Sequence, residues 1–453
     1  MVLNMERVGL IGDNSIEYIS ILVDIWNNGD CAVLIDWRIP YITAVEMMKE
    51  ANVVKCYIEK KLFDKIHNIN NNIEIIIFEK ENNYTKSLPL DIYNKFKPNY
   101  SKNEAIIIYS SGTTGKSKGI ILSHYAINKN ADSIIDYMQI KLNDSLYMVR
   151  TISHASSVVG ELLVCLKSKL ELYIGPTIVP PRYIISNLIR YNITILTVNP
   201  TQLLMYTNEL TINPVKFTNL RSIYVSGAPL SNNNRLKAMK VFDNTNIYNA
   251  YGLTEAGPRV SVQSHKFNHD NSIGKPIMGV QIAIINEDGH ICASYEKGIV
   301  HVKTDSVFSG YVKGKNKFDS LYNDWLNTGD IGYMIDNGEI FITGRLDDLI
   351  IINGHKIYSG DVEKVIREYE LIKDCVVISE PIENNEYFMI CLYELYDTNN
   401  FRLNALIKHC NNYLSLYEIP QKWLYLESIP RTLNNKISKA DIKALLKSNL
   451  IEG

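Results

Sequence analysis

Between Ala105 and Gly119 the chain concentrates the residue types that handle phosphate. Ala105 to Tyr109 is apolar, and Ser110-Ser111-Gly112-Thr113-Thr114-Gly115-Lys116-Ser117-Lys118-Gly119 follows directly. Glycines let backbone N–H groups approach a polyphosphate, hydroxyls add donors, and lysines add charge. A Walker loop is the rival reading, because Gly115-Lys116-Ser117 supplies that motif's end. Its spacing needs a glycine where Ser110 stands and a helix afterwards, whereas Ile120-Ile121-Leu122 reads as a second strand. A plain surface loop does not account for hydroxyls and lysines set among the glycines. Other candidates read more simply. His265 and His269 have helical metal-ligand spacing, but Lys266-Phe267-Asn268 and Asp270-Asn271-Ser272 are turn-like. Lys313, Lys315 and Lys317 read as a solvated turn.

Such a loop needs a scaffold, and the composition says which kinds are excluded. The 453 residues suggest about three domain-sized units. A single core stops growing near roughly 250–300 residues, so at least one division is expected. With 46% hydrophobic and 21% charged residues, disorder and fibres are excluded. Lys+Arg number 47 against 49 Asp+Glu, a net charge of −2, so no basic excess points to nucleic acid or an anionic membrane. Met1 to Arg7 lacks a basic segment leading into an apolar core, so no signal peptide is expected. The most apolar stretch, Ser157 to Leu166, is short for a membrane span and carries Glu161. Seven scattered cysteines without a Cys-x-x-Cys pair read as buried thiols in a reducing compartment, and a cytoplasmic location follows.

Strand-like and helix-like segments alternate through the first part. Arg7 to Gly12, Cys31 to Ile35, Val54 to Ile58 and Glu74 to Phe78 read as strands; Ser15 to Trp26 and Tyr41 to Glu50 read as helices. Ile184 to Tyr191, Ile195 to Val198, Leu220 to Val225 and Asn232 to Phe242 continue the alternation. That order predicts an α/β architecture with largely parallel sheets. From about Gly274 short β segments take over, separated by Glu287-Asp288-Gly289 and Asp336-Asn337-Gly338 turns, which predicts an antiparallel, β-barrel-like portion. Beyond Gly344-Arg345 a helix from Asp361, N-capped by Ser359, two strands and two more helices predict a small α+β domain.

Taken together, these segments resemble the adenylate-forming ligases: acyl- and aryl-CoA synthetases, peptide-synthetase adenylation domains and luciferases. The Ser110 to Gly119 loop resembles their phosphate-binding signature, assigning Ser110, Ser111, Gly112, Thr113, Thr114, Gly115 and Lys118 to ATP. Tyr248-Asn249-Ala250-Tyr251-Gly252-Leu253-Thr254-Glu255 resembles the adenine- and magnesium-binding stretch. By that resemblance Tyr251 stacks on adenine beside Asn249 and Gly252, Thr254 holds the α-phosphate, and Glu255 ligates Mg²⁺. An aromatic face suits a purine and a hard carboxylate suits magnesium. Ser226-Gly227-Ala228-Pro229 resembles the turn lining nucleotide and acyl pocket. The resemblance also implies that Asp330, in Trp325 to Asp330, binds the ribose hydroxyls, and that Arg345 contacts ribose or phosphate. Lys436, at the end of Pro430 to Lys436, would bridge the substrate carboxylate and α-phosphate, where a cation stabilises transition-state charge.

The family match implies a large domain over residues 1–346 and a small mobile domain over 347–453, hinged near Asp347, with Gly354 and Lys356 forming the thiol's access channel. Ser117 replaces the usual proline and Asn435 the usual glycine. The chain begins close to the family's first helical unit, so a section that longer relatives carry is expected to be missing. For the acid, Ala155 stands where amino-acid-activating domains place an aspartate, which disfavours an ammonium-bearing substrate. His154 resembles the gating histidine of acyl- and aryl-CoA ligases, and Ala155, Gly160, Ser226 and Gly252 would leave room for a ring or short chain. The expected activity is ATP- and Mg²⁺-dependent conversion of an aryl or small acyl acid to its adenylate. Transfer to coenzyme A or a carrier-protein phosphopantetheine follows, in a monomer or homodimer. The alternatives are a stand-alone amino-acid-type adenylation enzyme and a non-catalytic nucleotide-binding relative.

Overall fold

The computed structural model describes residues 5–63, 73–81, 84–110, 117–313, 321–322, 324–352, 355–381, 387–432 and 436–447. In the first sheet, apolar pentapeptides have become buried strands: Cys31–Ile35 is buried along its whole length and Arg7–Ile11 from Val8 onward. Strands covered on both faces carry unbroken apolar runs, which explains the missing alternation. Arg7–Ile11 lies between Cys31–Ile35 and Lys55–Glu59, with Glu74–Phe78 and Glu104–Ser110 outside them, all parallel. Lys118–Ser123 then pairs antiparallel with Glu104–Ser110, and Gly310–Tyr311 adds to its outer edge. Helix Ile16–Asn27 is capped by the Ser15 hydroxyl, which accepts the Tyr18 N–H at 3.1 Å. It buries Ile19, Leu22, Val23 and Trp26, and the Trp26 indole N–H donates to the Ala105 carbonyl at 3.1 Å.

Five parallel strands form the centre of the second sheet: Glu171–Ile174, Ser145–Met148, Ile195–Val198, Ser222–Val225 and Asn246–Tyr251, in that spatial order. Because they run the same way, the segments leaving them emerge on one side. Those segments carry Arg150 to His154, Ser226 to Ala228, and Gly252 to Glu255. In open parallel sheets that carboxyl end is where ligands bind. Asn14, at the end of the first sheet's Arg7–Ile11 strand, ties the two sheets together. Its amide donates to the Arg150 carbonyl at 2.7 Å and its oxygen accepts the Ile152 N–H at 2.8 Å.

A third, antiparallel sheet is built from Val280–Ile285, Gly298–Thr304, Trp325–Met334, Leu321–Tyr322 and Ile340–Arg345. Among the described residues nothing joins its outer strands, so the barrel-like portion is an open sheet. The expected turns are present, with Gly289 and Gly338 at φ +81° and +85°. Turn signals locate hairpins but carry no information about closure.

Beyond Asp347, the hairpin Leu349–Ile352/His355–Tyr358 leads into helix Ser359–Arg367. The sheet Ile372–Pro381, Tyr387–Leu395 and Lys422–Tyr425 follows, with helices Leu403–Asn411 and Lys439–Lys447. Ser359 is the first helical residue and not the cap. Tyr358 occupies that position because it still pairs with Leu349, so the strand enters the helix without an intervening residue. No cluster of buried apolar residues mixes the two sides of Asp347, so the small C-terminal domain has its own core. Contacts that cross include Lys297–Asp361 at 2.5 Å, Lys356–Glu287 at 2.5 Å, Tyr396 donating to Asn234 at 2.8 Å, and the Lys237 ammonium 4.1 Å from the Tyr396 ring centroid. All seven cysteines are free, each buried except Cys292. No helix among the described residues is long and apolar enough to cross a membrane.

Candidate active site

At the end of strand Asn246–Tyr251, the Tyr251 hydroxyl donates to Oδ2 of Asp330. Asp330 lies mid-way along Trp325–Met334, directly opposite Arg345 in the antiparallel register. The Arg345 guanidinium donates to its other oxygen at 3.0 Å. Its own N–H is fixed by Thr328 Oγ1 at 3.0 Å, beside Gly329 at φ +71°. Burial pushes the Asp330 carboxyl above its ordinary range, and Arg345 works against that shift. The Tyr251 phenol is held well above its usual range by burial and then by Asp330. This group is an aromatic ring, a poorly hydrated carboxylate and a guanidinium held together by mutual bonds.

Gly252 follows, and here only glycine fits: a Cβ would lie 1.9 Å from the Pro258 carbonyl oxygen. Thr254 and Glu255 occupy the short turn Thr254–Ala256. The Phe308 N–H holds the Glu255 carbonyl at 2.9 Å, and the Tyr311 hydroxyl donates to Glu255 Oε1 at 3.1 Å. Burial, then Glu255, pushes the Tyr311 phenol up. The Lys118 ammonium sits 5.8 Å from the Tyr311 ring centroid, at the outer limit for a cation–π contact. The hairpin's far end is thereby linked to Glu255. Ser110 faces Lys118 across the hairpin register; Ser111, Gly112, Thr113, Thr114, Gly115 and Lys116 lie outside the described residues. Among the described residues no group of three or more His, Cys, Asp or Glu side chains could cage an ion. A lone carboxylate such as Glu255 suits magnesium, which keeps most of its coordination for water and phosphate.

Lys436 comes from the other domain. Its loop is closed by the Arg431–Ile437 bridge, with the Thr432 N–H donating to the Lys436 carbonyl at 2.8 Å. Arg431 anchors that loop to Asp374 at 2.5 Å. Lys436 as a residue is exposed, yet its ammonium is desolvated enough to bind its proton less tightly. Asp330 and Glu255 oppose that loss and Arg345 adds to it. The ammonium is thus within electrostatic reach of Asp330, Arg345 and Glu255.

His154 caps the short helix Ala155–Ser157, its Nδ1 accepting the Ser156 N–H at 3.2 Å and lying 2.7 Å from the Ser156 hydroxyl. With donors at Nδ1, the proton resides on Nε2. Burial, joined by Arg150, Lys436, Arg259 and Arg38, lowers its pKa to about 3. Ala155 and Gly160 are buried, Gly160 within the wide turn Val158–Leu163. Wide turns inside helices recur at functional sites. Ser226 accepts from Arg150 at 3.3 Å, and Gly227 turns the chain at φ +99°, with Ala228 beside it. One donor of the Asn249 side-chain amide is engaged within the protein, bonding the Ser272 carbonyl at 3.0 Å. Asp347 is exposed in the turn Leu346–Asp348, Lys356 is held by Glu287, and Gly354 lies outside the described residues. His269 pairs with Glu339 at 2.5 Å, and His265 rests edge-on against Tyr248. Of the lysine run, Lys313 lies 4.0 Å from Glu50; Lys315 and Lys317 lie outside the described residues.

Sequence reasoning missed Asn14, Arg150, Arg259 and Tyr311. Glu161 was visible as the charge in an apolar run, and the structure gives it a purpose. It is wholly buried, with Oε1 taking Arg150 Nε at 3.0 Å and Nη2 at 2.5 Å. Arg150 also reaches Thr197 Oγ1 at 3.1 Å.

The family model described as AMP-binding enzyme matches residues 2–312. The chain belongs to the AMP-binding enzymes. Among its relatives, Acyl-CoA synthetase 7 of Caenorhabditis elegans is 26% identical over 357 residues, which are 76% of this AMP-binding enzyme and 65% of that relative. The chain thus spans a little under two thirds of that protein. A 2-succinylbenzoate–CoA ligase of Bacillus cytotoxicus is 25% identical over 449 residues, covering 98% of this chain and 89% of the relative. The solved o-succinylbenzoate CoA synthetase of Bacillus subtilis, in complex with its acyl-adenylate intermediate, shares the fold of this AMP-binding enzyme. The TM-score is 0.80 at 20% identity, over 97% of this chain and 88% of that one.

Proposed function

We propose that this chain is an acid–thiol ligase, joining a small carboxylic acid to AMP with release of pyrophosphate and then passing the acyl group to coenzyme A. The reading is supported by the gathering of Tyr251, Asp330 and Arg345 at the end of the second sheet, with Lys436 of the small domain within electrostatic reach of Asp330, Arg345 and Glu255. A carboxylate is a poor acyl donor because oxide is its leaving group; joined to AMP, it leaves as a phosphate ester. Asp330 takes the ribose hydroxyls, Tyr251 offers its ring to adenine, and Ser110 to Lys118 with Thr254 hold the phosphates. Lys436 stabilises charge shifting onto the α-phosphate as the carboxylate attacks. Glu255 would hold Mg²⁺, which when bound supplies Lewis-acid neutralisation of phosphate charge. His154, kept neutral, stands at the acid pocket with Ala155, Gly160, Ser226 and Gly252.

The thiol step needs Lys436 to leave. Each side of Asp347 keeps its own buried apolar clusters among the described residues, which suits rotation of residues 347–453 about Asp347 as a body, with Lys356 and Gly354 proposed to serve the thiol's path. An aryl or small acyl acid fits the small residues of the pocket and the 2-succinylbenzoate–CoA ligase relatives. Acid-dependent exchange of labelled pyrophosphate into ATP, followed by mass measurement of the product with coenzyme A or a phosphopantetheinyl carrier protein, tests both steps. A thioester of coenzyme A is expected; product only on the carrier would replace the acceptor.

A further inference from the structure

Tyr311 stands where two parts of the nucleotide site meet and is distant in sequence from both. Residues 308–312 run between those parts as a strap. On one side the Ser309 N–H donates to the Ile121 carbonyl at 2.7 Å and the Val312 N–H to the Gly119 carbonyl at 2.8 Å, while Gly310 and Tyr311 pair with Ile121 and Ile120. The strap is thereby fixed to strand Lys118–Ser123, which leaves the phosphate loop. The fit is close, since a Cβ at Gly119 would lie 2.8 Å from a Val312 methyl. On the other side the Phe308 N–H holds the Glu255 carbonyl at 2.9 Å, and the Tyr311 hydroxyl donates to Glu255 Oε1 at 3.1 Å. Among the described residues no other side chain hydrogen-bonds this carboxylate. The wholly buried Phe308 braces the Tyr311 ring edge-on, with centroids 4.8 Å apart. The Lys118 ammonium lies 5.8 Å from the centroid of the same ring. A single phenol thus meets an anion through its hydroxyl and a cation across its ring.

We propose that Tyr311 is a positioning residue for Mg²⁺–ATP: its hydroxyl aims the Glu255 carboxylate, and its ring sets Lys118 of the phosphate loop at a fixed distance from that carboxylate. This rests on the reading above in which Glu255 holds Mg²⁺. A glutamate side chain free to rotate loses that freedom when it meets a ligand, and holding it in place beforehand removes part of the cost. Ligating carboxylates are themselves hydrogen-bonded, and loss of such a partner lowers metal affinity by about 10–100-fold. The ring acts on Lys118 through the weaker cation–π attraction, so its share is smaller.

Calorimetric titration of ATP into the whole chain, once with excess Mg²⁺ and once with EDTA, tests this without turnover. The wild type is expected to bind ATP about tenfold or more tightly with Mg²⁺. Tyr311→Phe keeps the ring and should lose most of that gain, while its affinity in EDTA stays within about twofold of wild type. Tyr311→Leu removes the ring too and should also weaken binding in EDTA, by about threefold. A Tyr311→Phe protein that keeps the full gain overturns the proposal. So does an equal loss with and without Mg²⁺, which assigns the hydroxyl a merely structural role. If Tyr311→Leu behaves like Tyr311→Phe, the part given to the ring is overturned. No Mg²⁺ gain in the wild type removes Glu255 as the metal ligand, and the proposal falls with it. Absence of pyrophosphate exchange with every acid sinks the acid-activation reading alone, because the titration contains no acid.

Discussion

Tyr251 donates its phenolic hydrogen bond to Asp330 across a sequence separation of 79 residues. The bond joins the second sheet to the third and places an aromatic ring beside a buried carboxylate that Arg345 partly neutralises. Hydrogen bonds to a charged group contribute about 1.5–3 kcal/mol, and leaving one partner unpaired costs more. Asp330→Asn should therefore weaken ATP binding by about 10–100-fold, while Tyr251→Phe, which keeps the ring, should weaken it by less than about tenfold. Calorimetric titration with ATP checks the order of the two effects.

Two glycines separate close approach from backbone conformation. Gly252→Ala puts a methyl 1.9 Å from the Pro258 carbonyl, so the 252–258 backbone must move. Gly227→Ala meets nothing within 4 Å but keeps φ +99°. The expected outcome is a stability loss of roughly 1–3 kcal/mol at Gly227, from backbone strain alone. Gly252 should lose more, with ATP binding abolished. Denaturant melts of both variants decide it, and equal losses would contradict the geometry.

The Arg150–Glu161 pair is buried on both sides, its side chains 9% and 0% exposed. Glu161→Gln should destabilise the protein by about 3–5 kcal/mol, because it strands the Arg150 guanidinium. Replacing both partners with methionine should cost clearly less than the single change. Urea unfolding of the three proteins measures the difference.

His154 supplies a pH signature. Its folded pKa is about 3 against an ordinary 6.5, with burial the main cause and four cations assisting. Between those values the unfolded chain binds a proton that the folded chain refuses, so His154 subtracts stability as pH falls below about 6.5. His154→Gln should flatten the acid side of a melting-temperature profile between about pH 6.5 and 4. Superimposable slopes would contradict the assignment. The same depression keeps His154 neutral throughout the neutral range, so acid activation should show no ionisation from it there.

Much of this site was legible because its residues sit in local patterns. The Tyr251-Gly252-Leu253-Thr254-Glu255 run and the positions of Asp330, Arg345 and Lys436 could be read from motif order, and apolar pentapeptides such as Cys31–Ile35 announced parallel strands. What stayed hidden depends on partners distant in sequence. Arg150 and Glu161 look like unrelated charges until a wide turn brings them together, and Arg259 looks like any surface arginine although it is buried against Asn130 and Gly160. Asn249 sat in the motif, but its bond to the Ser272 carbonyl could not be read there, since a side chain's direction follows from tertiary packing. The third sheet's openness and the Tyr358 cap were misread for a related reason: pairing partners, and not turn residues, decide them.

Lys436 is proposed to serve acyl-adenylate formation and then to depart. Acid-dependent pyrophosphate exchange by wild type and Lys436→Ala tests it most directly, alongside thioester formation from supplied acyl-adenylate and coenzyme A. Exchange is expected in the wild type, with a loss of about 100-fold or more in Lys436→Ala and thioester formation changed by less than about threefold. Exchange that survives the substitution, or equal damage to both half-reactions, would contradict it.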